Sequence, residues 1–169
     1  MSGARGIAWL LFVLWTGWLV AFQGLISVNA GALTPELGIA WYFAVAGRMR
    51  RRETLLLALF VGAVRTAFTS DPALAVLVGY GALAFLADLL RRSFDVDGTV
   101  LRAACAFLGA LLLSGLWTLA RSVALPTGES AGAFHLAWAF ALATACATLF
   151  LPPLLTRLPG LAPLWKTRR

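Results

Sequence analysis

Six apolar segments run through this chain, and its basic residues sort onto one side of them. With the N-terminus placed inside, Arg5, Arg48, Arg50, Arg51, Arg52, Arg91, Arg92, Arg102, Arg157, Lys166, Arg168 and Arg169 face one compartment, and Arg65 and Arg121 fall on the opposite half. Twelve against two is the bias of a membrane protein whose positive loops stay in the cytoplasm. No other feature constrains the fold as strongly. A soluble nucleic-acid binder with the same net charge of +7 would not be 61% hydrophobic. The sequence therefore predicts an all-α integral membrane protein with six transmembrane helices, N-in/C-in, in contact with lipid and without a nucleic-acid partner.

The predicted spans are 7–28, 35–50, 54–69, 73–90, 99–123 and 131–151. At roughly 20 residues per crossing, little of the 169 residues remains for loops, so 1–169 reads as a single membrane domain with short loops. Val28-Asn29-Ala30 resembles a signal-peptidase site, but the first apolar stretch exceeds the roughly 7–15 residues of a signal core, so a permanent helix is expected. Thr34-Pro35-Glu36 reads as an N-cap, a first-position proline and an acid in the first turn. The second and third segments are marginal in length and could form a re-entrant hairpin. That arrangement would strand four arginines outside, and the charge rule favours two crossings. The sixth segment is expected to stop at Pro152-Pro153. The tail, 154–169, is basic and proline-containing. It reads as an interfacial anchor with Trp165 at headgroup level, or as a docking peptide for a cytoplasmic partner.

Few residues in the segments carry chemistry. Arg65 lies six residues before Asp71 and so roughly 9 Å below the helix end. It either snorkels outward or forms an interior pair, since a charge at helix centre costs about 2.5–3.5 kcal/mol on insertion scales. Glu36 and Asp71, on the same half, suit it better than Asp88, which Arg91 or Arg92 can answer. Ala133, Ala137, Ala141 and Ala145 form a ridge of small residues, flanked by Ala139, Ala143 and Ala147 and matched by Ala106, Ala110 and Ser114. Such ridges let helices approach closely, either each other or a partner's helix. Trp15 and Trp18 read as core packing, with a protein-binding face or an aromatic pocket as alternatives. Cys105 and Cys146 read as small buried hydrophobes, and His135 as an interfacial polar residue. No paired carboxylates, metal set, nucleophile with a base, or phosphate loop is present in the sequence, so neither an enzyme nor a cofactor is expected.

From Leu33 to Val123 the order of features resembles the MreD family of bacterial rod shape-determining membrane proteins. The matching features are Pro35-Glu36, the basic turn Arg48 to Arg52, the glycine helix Leu55 to Phe68 with Gly62, the pair Gly79-Tyr80-Gly81, and the loop Arg91 to Asp97 leading to Arg102. The family commonly carries an aspartate one turn after that third-helix glycine, where this chain has Arg65 among Ala63, Val64 and Thr66. The resemblance implies a non-catalytic scaffold of cell-wall elongation in the bacterial inner membrane. Its partners would be the bitopic MreC and, through it, the glycosyltransferase RodA, its transpeptidase and cytoplasmic MreB filaments. The same small six-helix plan also resembles the substrate-binding membrane subunits of energy-coupling-factor vitamin transporters. That likeness implies instead an outward pocket built from Trp15, Trp18, Trp117 and Arg65.

Overall fold

The computed structural model describes residues 2–30, 33–46, 49, 51–69, 72–93, 98–124, 130–161 and 164. They form six helices: α1 (Ser2–Ala30), α2 (Leu37–Ala46), α3 (Arg51–Phe68), α4 (Ala73–Ser93), α5 (Thr99–Ala124) and α6 (Ser130–Arg157). No strand occurs among the described residues. Three helices hold stretches long and apolar enough to cross a membrane: Gly6–Val28, Thr99–Ala120 and Leu136–Leu154. Leu37–Ala46 and Ala73–Leu89 are apolar but shorter.

Burial is inverted relative to a water-soluble bundle. The exterior carries Leu10, Leu14, Trp18, Leu74, Phe85, Val100, Leu119, Leu142 and Phe150, while Glu36, Arg65, Gln23 and several threonines turn inward. An apolar surface this extensive is stabilised by hydrocarbon and penalised by water.

The ten residues of α2 differ from what the hydropathy implies. Every one of them is buried, and at 1.5 Å per residue the helix is only about 15 Å long. It starts two residues later and ends four residues earlier than the expected segment 35–50. Wrapped by α1, α3, α5 and α6, α2 can stop within the bundle because its ends meet protein rather than lipid. Phe12 stacks on Trp41 at 5.3 Å between ring centroids, and the Trp41 indole donates to the Thr16 hydroxyl at 3.0 Å.

Around α2 the outer helices pack in the order α1, α3, α4, α5, α6. The ring is open, because α6 does not pack extensively back onto α1. The contact between α5 and α6 is the most extensive, with Ala106, Ala110 and Ala141 fully buried. Cys105 is buried, but Cys146 is exposed, on the outward face of α6.

α6 does not stop at Pro152-Pro153 but continues to Arg157. The prolines remove the amides that the Thr148 and Leu149 carbonyls would have accepted from and crowd those carbonyls, yet the helix carries on past them. Beyond α6 the chain turns at Gly160, whose φ is +81°. A side chain there would run into Leu11, so glycine serves both the turn and the close approach to α1. Leu161 and Leu164 then enter the core beneath α1. The rest of the tail, Trp165 included, lies outside the described residues.

A Cβ at Gly109 would meet Leu83 and Phe43, at 2.5 and 3.2 Å, whereas one at Gly115 would meet nothing. Gly109→Val is therefore expected to cost about 1–3 kcal/mol through overpacking. Gly115→Ala should match the parent or exceed it by up to about 1 kcal/mol, since alanine favours a helix interior over glycine. Thermal unfolding of the two variants in the same detergent checks the contrast.

Candidate functional site

The buried polar contacts converge on the N-terminus of α2. The Ala40 amide bonds to the Glu36 carbonyl at 3.1 Å, so Glu36 occupies the capping position, with Pro35 outside the helix. That places the acid where the α2 dipole favours it. It also leaves amides that require partners, and two side chains from other helices supply them. The Glu36 amide donates to Thr144 Oγ1 of α6 at 2.8 Å, and the Leu37 amide donates to Gln23 Oε1 of α1 at 2.9 Å.

The Glu36 carboxylate gathers three more donors. Gln23 Nε2 donates to Oε2 at 2.9 Å, and the Tyr80 hydroxyl of α4 donates to Oε1 at 3.1 Å. Arg65 of α3 forms a buried ion pair with Oε2. Glu36 is 1% exposed and Arg65 5%, so the pair is removed from its surroundings. Arg65 in turn sits over the Trp117 ring of α5, with its guanidinium carbon 4.2 Å from the ring centroid, a cation–π geometry. One carboxylate thus connects α1, α3 and α4 to α2, the backbone amide of the same residue adds α6, and α5 joins through Arg65.

Local packing fixes this geometry. Gly62 lets α3 lie against the Tyr80 ring, since a Cβ there would come within 3.2 Å of it. Gly38 leaves room for the Tyr80 hydroxyl beside Glu36. Trp117 is 8% exposed, its edge meets Phe140 of α6 at 6.2 Å, and its indole nitrogen finds no acceptor among the described residues.

Beside the pair lies an open cavity of about 400 Å³, bounded by Gln23, Glu36, Arg65, Trp117, Ala137 and Phe140, among others. It occupies the end of the bundle where α1, α3 and α5 finish and α2 and α6 begin.

The sequence-derived residues fall into separate places. Glu36, Arg65 and Ala137 come together at this cavity, whereas Pro35, half-buried just ahead of Glu36, does not line it. Ala141 is fully buried and Ala145 half-buried on the same helix. Asp88 is half-buried at the opposite end of the bundle, lining a second cavity with Arg52 and Thr54. Asp71 and the side chains of Arg91, Arg92, Arg121 and His135 lie outside what is described. Trp15 packs against the core, whereas Trp18 is 70% exposed and stacks on Phe22; neither lines the cavity. Gln23 and Thr144 escape the sequence reading. The signal for Gln23 was its being the sole amide side chain in the segment 7–28. Compared with protein-family models, curated proteins and solved structures, the chain matches none.

Arg65→Leu leaves Glu36 buried and uncompensated, so it should cost about 3–5 kcal/mol of stability. Tyr80→Phe removes one of three donors and should cost about 1.5–3 kcal/mol, the range for hydrogen bonds to charged groups. Denaturation in mixed micelles, monitored by tryptophan fluorescence, should rank the two variants in that order.

Proposed function

We propose that the chain is a six-span protein of the bacterial cytoplasmic membrane, with both termini inside, and that it serves as a non-catalytic scaffold of the cell-wall elongation machinery. In this role it binds a bitopic partner such as MreC, and through it RodA and its transpeptidase. The observation that carries this reading is the convergence of the residues that underlie the family resemblance. Glu36 of the proline–acid pair, Gly62 of the glycine helix and Tyr80 of Gly79-Tyr80-Gly81 meet at one buried point. In this proposal Arg65 takes over the local charge balance where the family commonly has an acid.

The charge chemistry fits a structural role. The Glu36 carboxylate is held by three donors, which suits it to fixing helices and leaves it poorly placed to take a proton from a substrate. The alternating directions of the helices agree with six crossings, because α1, α3 and α5 end where α2 and α6 begin. In this topology α2 crosses inside the bundle, and the arginines between positions 48 and 52 belong to the inner side.

A second reading, the substrate-binding subunit of an energy-coupling-factor transporter, is favoured by one feature. The 400 Å³ cavity lies at the end of the bundle that this topology makes outer, and it is lined by Gln23, Arg65 and Trp117.

Extraction of the protein from native membranes in mild detergent, followed by native mass spectrometry, separates the two. The scaffold reading predicts a stoichiometric bitopic protein with a large periplasmic domain. A coupling subunit with a pair of ATPases would replace it by the transporter reading. Reporter fusions at both ends are expected to report the cytoplasm, and a periplasmic signal from either would overturn the topology.

A further inference from the structure

Among the described residues, the gap between α1 and α6 is filled at one end only. Toward the start of α1, the turn at Gly160 lies on Leu11, and Leu161 and Leu164 fill the space beneath. Toward the Glu36 end no such segment enters among the described residues, and the cavity lies there. Its floor is the Glu36–Arg65 pair, and its sides include Phe68 of α3 and Leu136 of α6, both exposed apolar residues. The space is therefore a cleft with a polar floor and apolar sides.

Two features decide what could occupy it. Glu36 and Arg65 are the only formally charged groups among the described lining residues, and they neutralise each other. A charged headgroup would find no compensating partner there. Three of the lining hydroxyls, those of Ser27, Thr69 and Thr118, share one property. Ser27 donates to the Gly24 carbonyl at 2.7 Å, Thr69 to the Arg65 carbonyl at 3.2 Å, and Thr118 to the Ser114 carbonyl at 2.8 Å. With their protons committed to their own helices, all three present oxygen lone pairs as acceptors. Acceptors repel the oxygens of a phosphate and attract O–H or N–H donors.

We propose that this cleft binds a single amphiphile with an uncharged, hydrogen-bond-donating head, such as a glyceride. The head lies over the Glu36–Arg65 pair among Ser27, Thr69 and Thr118, and the chain lies along Phe68 and Leu136. The site belongs to the isolated chain, so it stands or falls separately from the scaffold and transporter readings.

The test is native mass spectrometry of the purified, delipidated protein titrated with two probes: glyceryl monooleate, and lysophosphatidylglycerol carrying the same oleoyl chain. The expected result is one retained monooleate, bound at least about tenfold more tightly than the anionic lipid. The triple variant Ser27→Ala/Thr69→Val/Thr118→Val keeps side-chain shape at partly or fully exposed positions and so should fold. It should lose about tenfold in monooleate affinity, the scale of one to two hydrogen bonds. Equal retention of both lipids would reduce the cleft to an ordinary lipid contact and overturn the proposal. A preference for the anionic lipid, or a triple variant that binds monooleate as the parent does, would overturn it as well.

Discussion

A buried carboxylate at the start of a ten-residue helix is the constraint on which this bundle depends. Glu36 is almost wholly buried, and the exterior is built of leucine, valine and aromatic side chains. In such surroundings a charge must be paired and its remaining lone pairs filled. Arg65, Gln23 and Tyr80 meet that requirement, each from a different helix. Apolar packing alone has little directional preference, and between helices in lipid it has little driving force. A polar hub with donors from several helices supplies what such packing lacks: one register in which all partners are satisfied.

The hub also accounts for the shortness of α2. A helix of about 15 Å would strand its first amides in hydrocarbon if it faced lipid. Here Thr144 accepts from the Glu36 amide and Gln23 from the Leu37 amide, so non-helical chain can precede the helix at depth. Because the surrounding ring does not close between α1 and α6, the same hub forms the floor of a cleft. Stability and the capacity to hold a ligand therefore share a set of side chains. The lining hydroxyls of Ser27, Thr69 and Thr118, which carry no part of the hub, can vary without disturbing it.

Much of this was legible in the sequence, within limits set by physics. Hydropathy and the arginine distribution located the helices, because solvation by lipid acts on composition. Counting depth along the third segment placed Arg65 on the same half as Glu36, because the rise per residue is fixed. Full burial of α2 was not legible: a uniformly apolar stretch has no face, so it reads alike whether lipid or protein surrounds it. Continuation of α6 through Pro152-Pro153 depends on the bundle tolerating two missing amide donors, which local propensity does not encode. Gln23 and Thr144 were overlooked because a single amide or hydroxyl in an apolar segment is unremarkable until its partner is known. Cys146 looked like Cys105 in sequence, and only the orientation of α6 separates them.

The most direct test of the hub is a double-mutant cycle on the pair, with unfolding free energies measured for the parent, Glu36→Gln, Arg65→Leu and the combination. Each single change leaves one buried charge without its counter-charge, whereas the combination leaves none. The account predicts that the double variant is more stable than Arg65→Leu alone, with a coupling energy above about 2 kcal/mol, within the range for contacting residues. Additive losses, with no coupling beyond about 0.5 kcal/mol, would mean that the two charges do not depend on each other, and would contradict it.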